Sequence, residues 1–183
     1  MAGSALESER EHLGSLLEAL QRCVYFLDAS ERRVSWPLRA EELEARKKDV
    51  DLFESLAAVN ERFAKLQDTL GASMRHAALL AGESAETFLK VLAFFEKVGI
   101  LESMEQWQVA RAARNLAAHD YELEYAGIAE HFNQLHELAP TLYQEAERLL
   151  GFCREQLHIE PVRGDFGEEF RAAVNRARGQ GHE

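Results

Sequence analysis

Residues 52–74 read LFESLAAVNERFAKLQDTLGASM. Leu52, Phe53, Leu56, Val59, Phe63, Leu66, Leu70 and Met74 recur mostly at three- and four-residue steps. At about 100° per residue, these positions share one face of an α-helix, and most of the charged residues between them fall on the other. Apolar and polar residues do not alternate with period two, so the stretch does not read as a strand. Gly71 falls late in the stripe and is expected to bend or weaken the helix.

The same pattern extends in both directions. Leu13, Leu16, Leu17, Leu20, Val24 and Leu27 predict a first helix over 6–28, and Trp36-Pro37 marks a boundary after it, because the residue before proline avoids helical geometry. The second helix is expected to start near Ala40 and run on through the quoted stripe to about 82, with the charged residues 41–51 facing solvent. A third helix is expected over 84–98, with Ser84 as N-cap, Phe88, Val91, Leu92 and Phe95 buried, and Gly99 at C′. Ser103 and Gln106 fit a capping box that opens a fourth helix, with Trp107, Ala110, Ala113 and Ala117 on one side. A fifth covers 124–158, where Pro140 predicts a kink or short break, and a short last helix covers 165–177. The expected fold is all-α, an antiparallel up-and-down bundle of four to six helices. We expect one domain over 1–183, with its core at about 6–158 and a C-terminal extension over 159–183.

Bulk composition agrees with this reading. The chain has 183 residues, 46% hydrophobic and 29% charged, with only three prolines, so one folded helical domain is the natural expectation. The net charge of −11 gives no general attraction to nucleic acid or an anionic membrane, so any such contact needs a local basic cluster. Cys23 and Cys153 have no paired spacing and read as buried thiols in a reducing compartment. No apolar run approaches spanning length, and the N-terminus has no apolar signal region, so a cytoplasmic protein without membrane contact is expected.

Chemistry concentrates in one place, Arg114-Asn115-Leu116-Ala117-Ala118-His119-Asp120-Tyr121. On a continuous helix, Arg114 and His119 would point roughly 140° apart with about 7.5 Å of rise between them. They converge only if the helix ends near Ala118 and the chain turns. A histidine moves protons at physiological pH, and an arginine offers a planar, permanently charged fork for phosphate. Together they suffice to cleave RNA without a metal: the ribose 2′-hydroxyl attacks, the imidazole moves its proton and the guanidinium stabilises phosphoryl charge. One histidine serves one proton transfer, and a symmetric dimer would bring two copies of the pair to one cleft. On spacing alone, an Arg and a His near a helix C-terminus are equally what carbonyl capping and the helix dipole favour.

The pattern Arg114-Asn115-x3-His119-x-Tyr121 resembles the R-N-x3-H-x-Y signature of HEPN-domain proteins, specifically the HepT toxins of MNT–HepT toxin–antitoxin pairs. Residues 62–71 and Leu101-Glu102-Ser103-x3-Trp107 resemble the corresponding HepT-like segments, so the resemblance covers about 45–155. It implies a dimerising all-α bundle acting as a metal-independent endoribonuclease that needs no cofactor. Arg114 and His119 would be catalytic, with Asn115 and Asp120 supporting them. It also implies an MNT-type nucleotidyltransferase antitoxin as partner, and Tyr121 as the phenol that receives AMP. AMP there would fill the cleft with bulk and negative charge and so exclude RNA. The alternative is a non-catalytic subunit that presents a nucleotide or substrate to the nucleotidyltransferase. The chain departs from a minimal HepT in its acidic region near 41–51, its residues after about 159, and the acidic Asp120 and Glu122 beside His119.

Other residues carry weaker signals. His131 and His136 are five apart, not the four that puts two ligands on one helix face, and His12, His76 and His158 lack partners at ligand spacing, so no metal site is expected. There is no G-x4-G-K-[ST] phosphate loop. Arg111, three residues before Arg114, either widens a phosphate-binding patch or pairs with a carboxylate. Gln67 and Asp68 either support the motif by hydrogen bonds or face solvent, and Trp107 reads as core.

Overall fold

The computed structural model describes residues 2–116 and 124–180, and the side chains of 6–115 and 124–179. The described residues are all-helical, with no strand: α1 (Ala2–Glu31), α2 (Ala40–Ala45), α3 (Val50–Leu80), α4 (Phe88–Lys97), α5 (Met104–Leu116), α6 (Tyr125–Phe152) and α7 (Gly167–Gln180). A π-helical turn, Cys153–Leu157, continues α6, and His158 after it is left-handed at φ 55°.

The apolar stripes pack as their periodicity requires. Leu13, Leu17, Leu20, Val24 and Leu27 of α1 are buried against α3, and the quoted stripe of α3 is buried except for half-buried Phe53. The pair runs antiparallel: Glu9 lies near His76, whereas Ser30 meets Arg62 further along α1. Buried side chains from Leu13 to Ala177 form one contiguous cluster. No helix among the described residues is long and apolar enough to cross a membrane.

Four expectations are corrected. The described residues form seven α-helices where four to six were expected, partly because the second breaks in two at 46–49. Within α2 only Leu43 is buried, so no apolar face spans the charged run, and Asp49 turns its carboxylate onto the Leu52 N–H at 3.0 Å to cap α3. That backbone bond, reinforced by Arg46, holds the Asp49 carboxyl below the usual aspartate range. Second, α4 is capped by Thr87, whose hydroxyl accepts from Lys90 N, and not by Ser84. Third, no short break falls at Pro140, which lies inside the continuous helix α6. Fourth, residues after 158 are no mere extension, since Phe170, Ala173, Val174 and Ala177 belong to the same core. Ser103 and Gly99 behave as expected: the Ser103 hydroxyl accepts from Gln106 N at 3.0 Å, and Gly99 is left-handed at φ 76°.

Polar contacts fasten the last segment. Glu18 accepts three successive backbone N–H groups, from Arg163, Gly164 and Asp165, and so fixes the turn before α7. Gly14 lets the returning strand of chain pass against α1, because a Cβ there would stand 3.0 Å from the Glu160 carbonyl oxygen. Arg176 of α7 then forks onto Asp28 of α1, at 2.7 and 3.3 Å. Beside it, Glu31 accepts from the Tyr143 hydroxyl at 2.7 Å and meets His136 Nδ1 at 2.9 Å, while Trp36 stacks on the His136 ring at 4.4 Å. Burial, then the Glu31 charge, pushes the Tyr143 phenol well above its usual range, which keeps it a neutral donor. Asn133 holds both backbone groups of Leu38 and docks the loop before α2 on α6.

Candidate nucleic-acid interface

Arg114 and Asn115 are the two motif residues that the structure places. His119, Asp120 and Tyr121 lie outside the described residues, as do Ala117 and Ala118. Asn115 is exposed near the last turn of α5. Arg114 is half-buried, and its guanidinium donates to the Asp68 carboxylate of α3.

Two lines of side chains explain this contact. Along α5, Trp107, Arg111 and Arg114 follow at steps of four and three, which aligns them on one face. Along α3, Asp68, Ala72 and Arg75 do the same. The helices approach closely because Gly71 lies between them: a Cβ there would meet Phe88 Cζ at 3.3 Å and Trp107 Cζ2 at 3.5 Å. Gln67 ties the helices together through Nε2, which donates to the Trp107 carbonyl at 3.3 Å. Gln67 is buried, and its Oε1 has no hydrogen-bond partner among the described residues.

The result is a groove of about 420 Å³ bordered by Asp68, Arg75, His76, Phe88, Arg111 and Arg114. Three arginines stand there against one aspartate, on a chain whose net charge is −11. Arg75 and Arg111 have no carboxylate at ion-pair distance among the described residues. Arg75 lies over the Phe88 ring, 5.6 Å from its centroid, which braces the guanidinium without neutralising it. His76 Nδ1 lies 3.2 Å from Glu9 Oε2, within ion-pair range but out of hydrogen-bonding alignment. Such a groove attracts anions locally and offers fixed forks to phosphate oxygens.

A larger groove is a poor place for a polyanion. It measures about 1010 Å³ between α2, α3 and α6, and carries Glu41, Glu44 and Glu124 against Lys47. Among the described residues, no group of three or more His, Cys, Asp or Glu is placed to hold a metal ion. Neither free cysteine is poised for chemistry: burial pushes the Cys153 thiol up to about 12, and burial raises Cys23 despite a hydroxyl contact from Thr69.

Arg111 borders the same groove with no carboxylate at ion-pair distance among the described residues, and Asp68 is bonded to the motif arginine. Sequence reasoning missed Arg75, although its seven-residue spacing from Asp68 places both on one face of α3. The chain matches no family model, no curated protein and no solved structure.

Proposed function

We propose that the chain is a metal-independent endoribonuclease toxin of the HEPN, HepT-like kind, folded as an antiparallel helical bundle and working as a homodimer in the cytoplasm. The observation that supports this reading is the placement of Arg114, the motif arginine, in one groove with Arg75 and Arg111, which have no carboxylate at ion-pair distance among the described residues, on an acidic protein. Arg114 stabilises charge on the phosphoryl oxygens, and His119 moves the proton of the attacking 2′-hydroxyl. Asn115 and Asp120 support the pair. An MNT-type nucleotidyltransferase is the antitoxin, and AMP placed on Tyr121 closes the site by charge and bulk. Expression of the chain alone should then slow growth, and either Arg114→Ala or His119→Ala should relieve this while the protein stays folded. Equal toxicity from wild type and His119→Ala would refute the assignment.

One observation favours a second reading. Asp68 already bonds to the Arg114 guanidinium and offsets its charge. A non-catalytic partner that presents a nucleotide to the nucleotidyltransferase would bind phosphate with Arg75 and Arg111 and leave Arg114 structural. It would form a stable complex and cleave no RNA at any protein concentration.

A further inference from the structure

We propose that the groove between α3, α4 and α5 is a strand-binding subsite, in which Arg75 and Arg111 grip successive phosphates of single-stranded RNA beside Arg114. This assignment rests on reading Arg114 as part of an RNA site. Arg75 stands seven residues from Asp68 along α3, a rise of about 10 Å. Asp68 marks the position of Arg114, so the guanidinium groups are spread over more than one phosphate. Arg111 follows Trp107 by one turn of α5 and borders the same groove.

Charge and shape point to a single strand. The groove is a local positive strip, while the acidic remainder of the chain would repel the second backbone of a duplex. A groove of about 420 Å³ admits a short stretch of one strand. The face of Phe88 is already occupied by Arg75, so the grip is on phosphate and independent of sequence. Buried Gln67, whose side-chain oxygen has no donor among the described residues, borders the same groove and leaves an acceptor there for a polar partner.

The test uses a short fluorescent RNA with 2′-O-methyl riboses, which cannot be cleaved by 2′-hydroxyl attack. Its binding is read by anisotropy across a salt series. Arg75→Ala with Arg111→Ala should weaken binding at least tenfold. It should also lower the slope of log affinity against log salt by about 1.4, from two phosphate contacts on a single strand at about 0.7 each. The double lysine variant should keep the slope, which a merely structural role for these arginines would not require. Arg111→Ala alone, which removes no described hydrogen bond or ion pair, should lower the slope by about 0.7 and guards against misfolding of the double variant. Unchanged affinity and slope in the alanine variants would overturn the subsite. So would binding of AMP as tight as that of the oligonucleotide, which would make this a free-nucleotide pocket. Binding that depends on these arginines, without cleavage of unmodified RNA, would keep the subsite and remove the nuclease reading. Cleavage with arginine-independent binding would do the reverse.

Discussion

Arg114 gains a fixed direction from Asp68 and loses part of its charge to it. Both side chains are substantially exposed, so the pair contributes little to stability, less than about 1 kcal/mol. Asp68→Asn should therefore leave the melting temperature nearly unchanged and tighten binding of a short RNA severalfold, with a steeper salt dependence. Weaker binding would mean that orientation by Asp68 matters more than the charge it offsets. A different residue governs the pH response of the fold. Glu145 is buried on α6, with Oε1 accepting from Glu102 N at 3.4 Å and Oε2 without a partner among the described residues. Burial pushes its carboxyl from 4.5 up to about 7. Between those values the folded chain keeps a proton that the unfolded chain has released, so this group makes stability fall as pH rises through that window. Glu145→Gln should be nearly neutral at pH 4 and stabilising at pH 8, by on the order of 2–3 kcal/mol in urea unfolding. An effect that does not change with pH would contradict this account of the group.

At the scale of elements, α7 is the test of what holds the core together. Phe170 is buried in the common cluster, and Arg176 fastens the helix to Asp28. Phe170→Ala should cost about 3 kcal/mol in chemical unfolding, in a single transition shared with the rest of the chain. A cost near zero, or a separate early transition, would return this segment to the status of an appendage. Its place in the core was legible: Phe170, Ala173, Val174 and Ala177 form an apolar stripe, although alanines make it faint. The long stripes of α1, α3 and α6 were easier, because leucine and phenylalanine recur over many turns. The break at 46–49 was not legible. The residues there are compatible with helix, and only the Asp49 carboxylate, bonding to Leu52 N, decides against it. The short break that Pro140 could have made is absent, since α6 continues through the lost hydrogen bond with Ala139 and Leu142 buried on either side.

At the scale of the whole molecule, the acidic charge balance confines any RNA site to a local patch, and the arginine groove is such a patch. Of the groove residues, the octapeptide contains only Arg114, because the others come from α3, α4 and the earlier turns of α5. Arg75 could not be placed beside Arg111 and Arg114, because that juxtaposition depends on how α3 crosses α5 at Gly71, and local spacing carries no information on crossing. If Arg114 and His119 cleave RNA as proposed, the pure protein incubated with total RNA in excess chelator should yield discrete fragments, and His119→Ala and Arg114→Ala should each lower the rate at least a hundredfold. Intact RNA with wild type, or equal cleavage by wild type and His119→Ala, would contradict the proposal.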